Sequence, residues 1–225
     1  MRQKQICNMT NQEFSIEFDI LYNNISSNKA PGLNDYEKSV FLTKAQEDII
    51  TELYSGRNTT YNSFEETEEQ RRYLNSLIWT EECESINDSV KLTSAKSYVF
   101  SLPYDVMFIT YEVATIDGKE VSVYPVSQDE LSKIIKNPFR GPSKNRVLRL
   151  DTTSNLVELI SNYNIDNYKI RYVKKPNPII LTSLEDDSLS INGTCIESEC
   201  ELDSSLHRTI LDRAVALALQ TMYSK

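Results

Sequence analysis

Glycine is scarce in this 225-residue chain, with five in all. A glycine-rich loop cradling phosphates therefore has nowhere to be built. Histidine is scarcer still. The one histidine, His207, has no imidazole partner for a metal and no evident nucleophile to serve. We read it as a surface or half-buried ring. Four cysteines, Cys7, Cys83, Cys195 and Cys200, are scattered. Only the last two form a loose pair, whereas a four-thiolate zinc site needs two close pairs. They read as reduced thiols, since a chain this long needs no disulfide staple. No cofactor, no metal and no enzymatic activity are expected.

Positive charge is also in deficit: 24 Lys and Arg against 33 Asp and Glu, a net charge of −9. Dedicated nucleic-acid binders gain affinity by releasing counterions from a cationic face, so this balance argues against one. It allows a protein through which DNA merely passes, because an acidic lumen repels the backbone. No apolar run reaches the 18 residues of a membrane span. Arg2 and Lys4 are followed by no apolar segment of the kind a signal peptide carries.

What is present is a normal globular composition, 40% hydrophobic, with 13 tyrosines. Thr10 with Glu13 fits a capping box, followed by Phe14, Phe18, Leu21, Tyr22 and Ile25 on one helical face. Ser26 to Asn28 and the Ala30-Pro31-Gly32 turn end that helix. Asn34 with Glu37 caps a second helix, whose apolar positions are Tyr36, Val40, Phe41, Ala45, Ile49 and Leu53. Gly56 stops it. A third helix is expected from Ser63, with Glu65, Glu66, Glu68 and Glu69 at its positive end and Tyr73, Leu74, Leu77 and Ile78 along it.

The period then changes to two. Residues 98–102, 106–116, 120–126, 146–151, 156–160 and 168–173 read as strands, with Asp117-Gly118 as a hairpin turn. Ser127 with Glu130 suggests a further capping box and a short helix to about Lys136. Asp203 opens a last apolar helix through Leu206, Ile210, Leu211, Ala214 and Ala218. The fold class is α+β: an N-terminal helical hairpin or bundle closed by a C-terminal helix, with an antiparallel β-rich insertion. The expected parts are helices over 1–80, the β insertion over 81–182, an acidic arm or loop over 183–202, and a closing helix over 203–225.

Two charge blocks stand out. Lys133, Lys136, Arg140, Lys144, Arg146 and Arg149 lie together without an acid. Glu185, Asp186, Asp187, Glu197, Glu199 and Glu201 lie together without a base. They are either two solvated loops or the two sides of a head-to-tail contact, with Lys133, Lys136, Arg146 and Arg149 set against the acids.

Four stretches resemble a virion protein of crAss-like and related short-tailed Bacteroidales phages. The first is residues 28–47, beginning Asn28-Lys29-Ala30-Pro31-Gly32. The second is Lys136-Asn-Pro-Phe-Arg-Gly-Pro-Ser-Lys-Asn-Arg-Val-Leu-Arg-Leu150. The others are Tyr172-Val-Lys-Lys-Pro-Asn-Pro-Ile-Ile-Leu181 and residues 200–219, beginning Cys200-Glu201-Leu202-Asp203. The resemblance implies a head-to-tail adaptor, a homo-oligomeric ring of twelve subunits below the portal protein. It would extend the DNA channel and carry further neck and tail proteins. It implies a place in the virion neck or tail, assembly in the host cytoplasm, and genomic DNA passing without sequence-specific binding. It also implies an interaction loop at Pro138, Phe139, Arg140, Gly141, Pro142 and Lys144, and an acidic arm that orders on assembly. Another neck or tail-tube ring protein, or a non-structural phage binding or regulatory protein, are the alternatives.

Overall fold

The computed structural model describes residues 8–25, 32–56, 67–86, 91–93, 95–153, 155–185 and 188–223. The turn at 26–31, the third-helix start from Ser63 to Glu66, Cys7, Asp186 and Asp187 lie outside them. Helices are α1 (Asn11–Ile25), α2 (Asp35–Ser55), α3 (Glu68–Tyr73), α4 (Gln128–Ile135) and α5 (His207–Tyr223). Strands are β1 (Ile78–Glu82), β2 (Glu84–Ser85), β3 (Ser97–Ser101), β4 (Val106–Ile116), β5 (Lys119–Pro125), β6 (Arg146–Thr153), β7 (Leu156–Ile160) and β8 (Asn167–Lys174). They form two compact units, one of residues 1–77 with 176–225 and one of residues 78–175.

In the helical unit, α5 packs against both α1 and α2, while α1 and α2 touch each other little. The first two helices are thus joined through α5 and through Lys38 of α2, whose buried ammonium donates to Asp19 at 2.7 Å and to Ser15 at 3.1 Å on α1. Both expected caps form. The Glu13 carboxylate accepts from the Thr10 backbone at 2.8 Å, and the Glu37 carboxylate accepts from Asn34 at 2.9 Å. Gly56 sits in the left-handed region, φ 72°, where a side chain is costly. Phe14, Phe18 and Tyr22 are buried as the helical period requires. Each removes about 1.5–3 kcal/mol worth of apolar surface from water. His207 is buried too, not at the surface. Its Nδ1 accepts from the Met9 backbone at 3.2 Å, its Nε2 lies 3.1 Å from the Leu202 carbonyl, and its ring packs on Phe14.

The buried face of α2 differs from the expected one. Val40 is exposed and Leu42 and Ile50 are buried, beside a polar stripe of Ser39, Thr43 and Gln46. That i, i+4, i+7 stripe serves the extended segment 177–181 as a neighbouring strand would. Ser39 Oγ accepts from Leu181 N at 3.0 Å, Thr43 Oγ1 from Ile179 N at 3.1 Å, and Gln46 Nε2 donates to the Asn177 carbonyl at 2.9 Å. Between them Ile180 exchanges two backbone bonds with Ser198. Thr43→Val keeps the volume but leaves the buried Ile179 N–H without a partner. Urea denaturation should show a loss of about 1–3 kcal/mol.

The β unit holds one eight-stranded sheet, in the order β1-β8-β4-β5-β6-β7-β3-β2. Its two edge strands are separated in sequence by Cys83 alone. Residues 78–85 therefore run from β8 at one edge to β3 at the other, which curls the sheet into a near-barrel. Alternate residues such as Ala114, Val121, Val147, Leu159, Tyr168 and Ile170 fill its inside. The hairpin turn at Asp117-Gly118 forms with positive φ at both residues, 51° and 71°.

The sheet is not wholly antiparallel. β5 and β6 pair in parallel, which a tight turn cannot connect, so the chain crosses over through α4 and the loop after it. Leu131 of α4 packs on Leu148, Leu150 and Ile160. Ser127 does stand at the helix start, but its side chain makes no capping bond, so the expected box is absent there.

Candidate interaction surface

The loop closing this crossover is built to hold one shape. Asn137 organises it: its side-chain oxygen accepts from Phe139 N at 2.9 Å and Arg140 N at 3.2 Å. Its carbonyl accepts from Gly141 N at 2.7 Å. A Cβ on Gly141 would lie 2.8 Å from that carbonyl and 3.0 Å from the one of Ile135, so only glycine fits this close approach. Ser143 and Arg146 then exchange backbone bonds in a tight turn. The Arg146 guanidinium reaches back to the Phe139 carbonyl at 2.5 Å and lies 4.8 Å over the Tyr124 ring. Asn162 Nδ2 donates to the Pro142 carbonyl at 3.0 Å.

These bonds present Phe139 with 87% of its surface in water. Leaving an aromatic ring in water forgoes the gain of burying it. Lys133, Lys136, Arg140 and Lys144, near it in sequence, are exposed.

Two of the candidate pairing cations are used within the chain. Arg146 is the strut just described. Arg149 is withdrawn from any outer contact: its side chain is 11% exposed and meets Glu112 at 3.0 Å inside the barrel. Asp151 also lies 3.1 Å from it, and the Tyr168 hydroxyl donates to Glu112 at 2.8 Å. Burial pushes the Glu112 carboxyl above the ordinary carboxylate range, and the Arg149 charge opposes that rise. The reason is register: Arg149 pairs with Leu159, whose side chain faces the barrel interior.

The acidic segment is likewise no free arm. Leu184, Ile191, Cys200 and Leu202 are buried, and Glu201 accepts from Asn177 at 3.0 Å. Glu197 accepts from Asn11 at 3.0 Å. Glu185 and Glu199 are exposed, as is Ile196.

Burial pushes the Cys83 and Cys200 thiols up to about 12, which keeps them protonated and poor nucleophiles. Among the described residues no three His, Cys, Asp or Glu side chains converge.

The helical unit adds two outward apolar features that periodicity did not reveal. Ile16 and Ile20 stand on α1, each about half exposed. A groove of about 480 Å³ is lined by Leu33, Tyr36, Val40 and Phe41 with Ala218 and Met222 of α5.

An exposed aromatic and basic loop on a near-barrel, with apolar faces left open on a helical unit, is the surface of a protein suited to assembly. Residues 9–225 match the phage tail ring protein 3/4 family, and the chain belongs to it. It is 52% identical to Ring protein 3 of Bacteroides phage crAss001, over 94% of this chain and 95% of that one. It is 39% identical to Ring protein 4/5 of the same phage, over 93% and 92%. The chain is thus a ring-forming structural protein of a crAss-like phage, and part of the virion.

Proposed function

We propose that twelve copies form a head-to-tail adaptor ring below the portal, extending the DNA channel and carrying the next neck or tail protein. The observation that carries a contact role is Phe139, held in water by a loop whose own bonds fix it. Each subunit would use the 138–145 loop against a neighbour. Lys133, Lys136 and Lys144 supply the positive side of a charge contact beside the loop, and Glu185, Glu197 and Glu199 the exposed part of the negative side. Genomic DNA would pass without sequence-specific contact, in keeping with the acidic balance of the chain.

A second reading is favoured by the relatives, whose names say ring and not adaptor: a ring further along the tail, stacked on related rings. Native mass spectrometry of the purified protein, alone and with the portal of its own phage, separates the two. A saturating set of subunits on the portal supports the adaptor. A closed ring that ignores the portal supports the tail position. A persistent monomer in both samples refutes a self-assembling ring. Reversing the charge of Lys136 and Lys144 together should lower subunit association at least tenfold at low salt and less at high salt. Unchanged association would eliminate the charge contact.

A further inference from the structure

The ring needs two different surfaces per subunit, because a head-to-tail contact joins one patch to another and repeats until it closes. The loop at Phe139 is one. We infer that the other is the groove between α2 and α5, and that Phe139 of one copy seats in the groove of a second copy. This inference rests on the reading that copies meet head to tail.

Shape and chemistry both favour this occupant. The groove is concave and its walls are Leu33, Tyr36, Val40, Phe41, Ala218 and Met222, a lining suited to an aromatic ring. Val40 and Phe41 sit on α2 where a surface helix would carry polar residues, and Val40 is 37% exposed. The one charged residue in the lining is Glu37, and the residue beside Phe139 is Arg140, in a loop with no acid. An aromatic anchor in an apolar pocket with a flanking ion pair is the arrangement that concentrates interface energy. The loop arrives already shaped, so little conformational freedom is lost on docking.

The test places photoreactive benzoylphenylalanine at position 139, where an exposed ring tolerates the change without disturbing the core. Equal parts of isotopically light and heavy protein are assembled into rings, irradiated and mapped by mass spectrometry. Cross-links from position 139 to residues 33–41 or 218–222 of the other isotopic form are expected. Cross-links to 185–201 with none to the groove, cross-links within one chain only, or none in a ring of intact mass would overturn the groove while leaving the ring standing. Absence of any ring in the unmodified protein would instead remove the head-to-tail reading itself, and the groove assignment with it. As a second measurement, Val40→Glu should weaken self-association at least tenfold by sedimentation, with the circular dichroism of the subunit unchanged. Association unaffected by Val40→Glu would also sink the proposal.

Discussion

Arg149→Ala should destabilise the subunit by about 3–5 kcal/mol. The cost comes from the partner left behind. Glu112 stands inside the barrel, and its Oε2 accepts from both the Arg149 guanidinium at 3.0 Å and the Tyr168 hydroxyl at 2.8 Å. Without the guanidinium it keeps one neutral donor and a buried negative charge. The pH dependence carries a sign that identifies this cause. Burial already raises the Glu112 pKa, and Arg149 opposes the rise. Removing Arg149 raises it further. A carboxyl whose folded pKa lies above its unfolded value contributes stability below the unfolded value and loses it as pH rises through the folded one. The deficit of Arg149→Ala should therefore be full at neutral pH and shrink as pH falls through the raised Glu112 pKa. Chemical denaturation at a series of pH values measures it. The double variant Glu112→Leu, Arg149→Met should lose far less than Arg149→Ala at neutral pH. A deficit independent of pH would mean that lost packing, not the stranded charge, is responsible.

Gly141→Ala should have the second large effect, and on assembly more than on stability. The new methyl group would have to displace the Asn137 carbonyl, to which it would lie 2.8 Å away. That is a backbone atom in the residue that organises the loop. Overpacking of this kind costs about 1–3 kcal/mol, and here the strain falls on the loop that fixes Phe139. Subunit association, followed by sedimentation, should fall at least as far as in Phe139→Ala, which removes the ring alone. The thermal midpoint should drop for Gly141→Ala and stay unchanged for Phe139→Ala, since an exposed ring contributes nothing to the core. Equal midpoints in the two variants would show that the loop yields easily and that Phe139 is not held.

The legible parts of this sequence were those whose signals are local. Thr10 with Glu13, Asn34 with Glu37, and Gly56 each act within a few residues, and each does in the structure what its chemistry suggests. Tyr168, Ile170 and Tyr172 announced a half-buried strand by alternation, and all three are buried. The loop at 138–145 came from the family resemblance, and its two prolines and its glycine suit a fixed turn. What escaped notice depends on partners far away in sequence. β1, Ile78-Trp79-Thr80-Glu81-Glu82, has no apolar alternation because four of its five residues are exposed. It is a strand only because β8 lies beside it, about ninety residues on. The face of α2 was misjudged because Ser39, Thr43 and Gln46 are buried by a segment more than 130 residues downstream. Arg149 looked like one more cation in a basic run. Its register in β6, not its neighbours in sequence, turned it inward.

The continuity of β1 and β2 through Cys83 bears on how a subunit survives before it is incorporated. An open sheet presents rows of unsatisfied amide and carbonyl groups, and identical copies at high concentration can zip together along them without limit. Here one short stretch of chain occupies both margins of the sheet, so that hazard is largely removed. Copies crowded together must then recognise one another through side chains, whose geometry can be made to close after a fixed number of steps. A protein that has to stop growing at a ring, and never become a fibre, gains from sheet margins as short as these, five residues and two.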